Sequence, residues 1–161
     1  MARTYSTSPI ALPHLQNLTL AATGLTSFEP LQSFLSAPFL MFLDVSNNRL
    51  RGALPTLRST YPKLITFLAS ENQINSLSFE AVEGLQALDV SNNNIDFLPP
   101  RLGLLGVEES GGLRRLDVSG NSFRVPKWQI VAKGTEAVLD WLKNRLTPEE
   151  LREWQGDTDN M

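Results

Sequence analysis

The sequence predicts an α/β solenoid segment of about five stacked units, with a short parallel sheet along one face and a helical cap at the C-terminal end. Three observations carry this. The stretch LDVSNNRL, Leu43 to Leu50, returns as LDVSNNNI, Leu88 to Ile95, and as LDVSGNSF, Leu116 to Phe123. With the residues before them these read Leu-x-x-Leu-x-Leu-x-x-Asn-x-Leu, allowing Ile or Phe at the last place. Two weaker copies, LQNLTLAATGL from Leu15 and LITFLASENQI from Leu64, complete the set. After Phe123 the pattern stops and amphipathic helical spacing takes over.

The pattern mixes two periods. Leu43 and Val45 alternate with outward positions, so both face inwards from a short strand. Leu40 and Leu50 lie on either side of a turn. Asn48 stands at that turn, where an amide offers two donors and an acceptor to backbone groups leaving the strand. Asn48, Asn72, Asn93 and Asn121 predict a ladder along the stack, with Thr23 at the same place in the first unit. One unit cannot bury its Leu face alone, so neighbours must share a core.

The repeated pattern resembles the leucine-rich-repeat family over most of the chain. Units start at Leu15, Leu40, Leu64, Leu85 and Leu113, spacings within the roughly 20–29 residues usual for such repeats. The resemblance implies a horseshoe segment with its strands on the concave side and a role in binding other proteins. The expected organisation is an N-terminal tail over residues 1–12, repeats over 13–126, and a helical cap with a polar tail over 127–161.

In chain order, Met1 to Leu12 reads as a loose polar tail with no obvious polar cap for the first unit: either it covers that end irregularly, or the chain is cut from a longer array. Phe28, Leu31, Phe34 and Leu35 predict a helix with one apolar face, ended by Pro38. Leu54 and Leu57 plug the second return segment, with Pro55 at its start. Phe79 and Val82 plug the third from a single turn. In the fourth, Leu98, Leu102 and Leu105 predict a helical turn packed inwards, and GVEESGG, Gly106 to Gly112, reads as a surface loop. The fragment FLPPRLGLL, Phe97 to Leu105, resembles the return segment of intracellular Ras-group and Scribble-like repeat proteins.

At the C-terminal end, Val138, Leu139, Leu142 and Leu146 form the apolar stripe of a helix, with Trp141 at its edge. Thr147-Pro148-Glu149-Glu150 is a capping box that opens a second short helix holding Leu151 and Trp154. Trp128, Trp141 and Trp154 read as cap packing, with a docking surface as the alternative. Gln155 to Met161 reads as a polar tail. The segment Asn121 to Leu146, with its Phe123-Arg124-Val125-Pro126 and Lys133-Gly134-Thr135, resembles the C-terminal end of the leucine-rich-repeat-containing protein 40 family. That resemblance implies a fold and an interaction role, and supplies no catalytic residues.

Composition bounds the function. The chain has 161 residues, 42% hydrophobic and 19% charged, which suits one domain. Its net charge of −3 argues against a general nucleic-acid binder. No apolar run approaches the roughly 18 residues of a membrane span. There is no cysteine and no apolar signal-peptide core, so the expected location is cytoplasmic or nuclear. His14 is the only histidine, so neither a triad nor a zinc site of the usual ligands can be built. No metal and no cofactor are expected.

The strand register predicts three outward columns. One reads Thr19, Asp44, Leu68, Asp89, Asp117. The column two residues earlier reads Asn17, Phe42, Thr66, Ala87, Arg115. The third, just past the strand, reads Ala21, Ser46, Ser70, Ser91, Ser119. Phe42 and Leu68 are large apolar groups that the core does not need, which suits a protein interface. The aspartates suit a basic peptide or a cation, or are simply solvated beside a turn-forming serine. Arg115 pairs with Asp117 or meets an acidic partner. The candidate partner-binding residues are Phe42, Asp44, Thr66, Leu68, Asp89, Arg115 and Asp117. The expected function is a non-enzymatic scaffold, monomeric or within a larger complex, that binds a protein partner through the concave face. The alternative is a regulatory or targeting module for an intracellular enzyme such as a phosphatase or small GTPase.

Overall fold

The computed structural model describes the backbone of residues 8–106 and 112–159, and side chains as far as Trp154. Short stretches of alternating burial make the strands. The chain enters through β1 (Ile10–Ala11). It continues through β2 (Asn17–Thr19), α1 (Glu29–Ser33), β3 (Leu35–Ser36), β4 (Phe42–Asp44) and β5 (Arg51–Ala53). Next come a 3-10 turn (Leu57–Ser59), β6 (Thr66–Leu68), β7 (Gln73–Ser76), α2 (Phe79–Val82) and β8 (Ala87–Asp89). A second 3-10 segment (Pro100–Gly106) leads to β9 (Arg115–Asp117), and α3 (Trp128–Val131), α4 (Thr135–Lys143) and α5 (Pro148–Asp159) close the chain.

Strands β2, β4, β6, β8 and β9 form one parallel sheet in sequence order. The register aligns Leu18, Leu43, Phe67, Leu88 and Leu116 as its inward column. From Leu43 onwards these side chains are buried with Val45, Leu50, Leu64, Ile74 and Ile95 in one continuous core. The parallel strands and shared core fit a solenoid-like α/β fold.

The asparagines build the predicted ladder, and each ties its unit to the one before. Asn72 Nδ2 donates to its own Ala69 and Ser70 carbonyls and to Val45 O of the preceding unit, while its Oδ1 accepts from Leu50 N–H. Asn48, Asn93 and Asn121 repeat this arrangement. Thr23 substitutes in part: its hydroxyl donates to Leu20 O at 2.6 Å, and its N–H donates to Asn48 Oδ1. The turn before each of these positions contains one residue at positive φ: Ala22, Asn47, Glu71, Asn92 and Gly120. Only the last is glycine, the residue that adopts this conformation without strain.

The return segments follow the reading at Leu54, Leu57, Phe79, Val82, Leu98, Leu102 and Leu105, all buried. Four details differ. Helix α1 stops at Ser33 rather than running to Pro38, and Phe34 is exposed, because Leu35 and Ser36 leave the helix to pair with Ile10 and Ala11. The same pairing ties down residues expected to be loose: Ile10 N–H donates to Phe34 O and Leu12 N–H to Ser36 O. A separate parallel pair, β5 with β7, forms beyond the asparagine turns. Helix α5 continues to Asp159, through residues expected to be a tail. Residues 107–111 of the expected surface loop lie outside the described part.

The cap closes the sheet by a side chain. Thr135 Oγ1 accepts from Leu116 N–H at 2.9 Å and donates to Leu116 O at 3.4 Å, so one hydroxyl replaces the next strand. Val138, Leu139, Leu142 and Leu146 are buried as expected. Helix α4 lies so close to Pro100–Gly106 that a Cβ on Gly103 would stand 2.4 Å from Lys143 N and 2.6 Å from Leu139 O. The capping box forms as read: Thr147 N–H donates to Glu150, and Glu150 N–H to Thr147 Oγ1. Trp154 meets Phe79 edge-on at 6.0 Å, and Trp141 lies under Arg145. Trp128 departs from the packing reading: it is 73% exposed.

Candidate binding face

Side chains alternate across β4, β6 and β8, so their outward residues share one face of the sheet. Phe42, Asp44, Thr66, Leu68 and Asp89 are half-buried there, as is Asp117, while Arg115 is exposed. Pairing sets Asp44 beside Leu68, Leu68 beside Asp89, and Asp89 beside Asp117. Phe42 lies next to Thr66 and two residues back from the Asp44 row. The structure therefore brings all seven candidate residues onto one face. The substantial helix contact to this sheet is that of α4 with β9 at its end.

The aspartates have local work. Asp44 Oδ1 accepts from Ser46 N–H, and Asp89 and Asp117 Oδ1 each accept from the N–H and hydroxyl of the serine two residues on. Each carboxylate thus starts the turn that the asparagine completes. Its second oxygen is not used by the turn. Asp89 Oδ2 lies 3.8 Å from Arg115 Nη2. The guanidinium reaches across to the neighbouring strand rather than to Asp117 two residues along its own. Among the described residues, no group of three or more His, Asp or Glu could hold a metal ion. His14 is exposed beside the first strand.

Two further apolar features flank the sheet. Met41 and Phe39 are exposed just before β4, and Met41 O accepts both Ile65 and Thr66 N–H groups. Past β9, Val118, Phe123, Pro126, Trp128 and Val131 line a groove of about 190 Å³. Trp128 read as cap packing or a docking surface. Only the placement of α3 leaves it in solvent.

Comparison with known proteins agrees with this construction. Residues 84–105 match the Leucine Rich Repeat family. They run from the approach to β8 through its asparagine turn to the buried Leu102 and Leu105. The chain is similar to Receptor-like protein 54 of Arabidopsis thaliana, at 29% identity over 83% of the chain and 20% of that protein. It is similar to Receptor-like protein 35 of the same plant, at 31% identity over 83% of the chain and 15% of that protein. Receptor-like protein 1 matches at 36% identity over 53% of the chain and 8% of that protein. The chain thus spans a fifth or less of the length of these relatives. Leucine-rich repeats commonly mediate protein–protein interaction, and that class of function fits the face described. No helix among the described residues is long and apolar enough to cross a membrane.

Proposed function

We propose that the chain is a non-enzymatic protein-binding module that holds its partner on the concave face of the sheet. The observation that carries this reading is the outward row itself. Half-buried Phe42 and Leu68 stand among Asp44, Thr66 and Asp89, on in-register strands with no core of their own to fill on that side. Apolar groups framed by polar ones are the composition of an interface centre. The absence of cysteine supports work in the cytoplasm or nucleus, where disulfides do not form. The resemblance of the C-terminal segment to the leucine-rich-repeat-containing protein 40 family belongs to the same reading. It is supported by Lys133-Gly134-Thr135, the junction at which Thr135 closes the sheet.

The test is an affinity capture from native extract, read by mass spectrometry. The bait is the wild-type chain beside a Phe42→Ala, Leu68→Asp variant whose fold is checked by circular dichroism. Partners held by the wild type and lost by the variant are the expected result. Identical partner sets from two folded baits would sink the assignment to this face.

A further inference from the structure

The sheet face has a chemical polarity that narrows its partner. The row Thr19, Asp44, Leu68, Asp89, Asp117 crosses the sheet in steps of roughly 4.8 Å, so carboxylates stand on both sides of Leu68. Glu71 adds another at the rim, in the turn just after β6. Arg115 is the one basic residue in the outward columns, and it lies near Asp89. Among the described residues, Asp44, Glu71 and Asp117 have no ion-pair partner. Carboxylates gathered on one surface create a negative field that draws cations.

Beyond β9 the surface turns apolar. A cleft along Arg115, Asp117, Gly134 and Thr135 shares Val118, Ser119 and Val131 with the groove that contains Trp128. The acidic row and the exposed indole are therefore parts of one continuous surface. A large aromatic side chain left 73% exposed, while Trp141 and Trp154 are packed against the cap, is a typical anchor for a partner. It also offers a face for a guanidinium.

We infer that this surface takes a basic segment of a partner protein. Lys or Arg side chains lie along Asp44, Asp89 and Asp117, one apolar group sits on Leu68, and another enters the Trp128 groove. The inference rests on the reading of the sheet as the binding face and adds the partner's chemistry and the cap's contribution. Nucleic acid is a poor fit, because its phosphates carry the same sign as the row.

The experiment selects a displayed library of random peptides on the full chain and reads the enriched sequences. One enriched peptide is then synthesised and its affinity measured for four proteins: wild type, Asp89→Asn with Asp117→Asn, Trp128→Ala, and Leu68→Ser. Asparagine keeps the Oδ1 acceptor that each turn uses, and Trp128 is exposed, so the first two variants leave the fold intact. The expected result is enrichment of Lys or Arg flanked by apolar residues. Affinity should fall about tenfold in the Asp variant and about tenfold in Trp128→Ala, and wild-type binding should weaken as salt rises. Enriched peptides without a basic excess, or unchanged affinity in either the Asp or the Trp variant, overturn the inference. If only Leu68→Ser loses binding, the sheet face stands and the basic-segment chemistry falls. If no variant changes binding, or nothing is enriched, both readings fall.

Discussion

The two edges of the five-stranded sheet meet solvent in different ways. At β9 the cap takes over: Thr135 satisfies both edge groups of Leu116, α4 packs on Pro100–Gly106, and Leu116 and Val118 are buried. At β2 the equivalent Leu18 and Leu20 are only half-buried, as are Leu15 and Leu25. The nearby β1 pairs with β3 instead of extending that sheet. Leucines at the same place in the pattern thus have different worth. A unit's inward face is dry only when something packs on both sides of it, so burial is a property of neighbours rather than of the repeat.

The sharpest way to test this is to make one change at equivalent positions. Leu88→Ala empties a fully buried site between β6 and β9 and is expected to cost about 3–4 kcal/mol. Leu18→Ala, in the same inward column at the open edge, should cost about 1 kcal/mol, because water already reaches it. Urea unfolding of the two variants decides. Equal losses would mean that the open edge is as well packed as the middle.

A second change breaks the closed edge alone. Gly103→Ala drives a methyl into the backbone of α4 at Leu139 and Lys143, with an expected cost of about 2 kcal/mol. Hydrogen exchange should accelerate at Leu116 and Val118 and stay slow at Leu43. Uniform acceleration would show that the cap and the repeats unfold as one unit.

A smaller effect than either buried change sharpens the open end. Tyr61 is fully buried, and its hydroxyl donates to the Leu31 and Leu35 carbonyls, tethering the first return segment. Tyr61→Phe leaves those carbonyls without a donor and should cost about 1–1.5 kcal/mol. Burial also pushes the phenol above its usual value near 10. The neutral form is the one the fold favours, so this contribution is complete below about pH 10 and declines as pH rises further. Thermal melts from pH 8 to 11, read as the difference between wild type and Tyr61→Phe, should narrow at the alkaline end. A constant gap would remove the link between ionisation and stability.

The candidate face was legible in its geometry and less so in its chemistry. Alternation about Leu43 and Leu88 named the outward columns, because a strand's side-chain period is two. The aspartates of those columns turned out to be tied to the serine two residues on, and Arg115 crosses to Asp89. Column positions say which residues are neighbours, but not which of several acceptors a flexible guanidinium reaches. Trp128 shows the same limit: it read as packing or as a docking surface, and the placement of a four-residue helix left it exposed.

By itself, the sequence determined the repeated strand, the inward leucines, the asparagine ladder, the apolar stripe of α4 and the capping box of α5. Each is written in local spacing and side-chain chemistry, which act over a few residues and recur. Tertiary structure alone decided the pairing of β1 with β3 and of β5 with β7, the closure of Leu116 by Thr135, the close approach at Gly103 and the exposure of Trp128. Those features depend on backbone groups and distances between segments far apart in the chain. Backbone donors and acceptors are the same at nearly every residue, so the sequence carries little mark of where they pair.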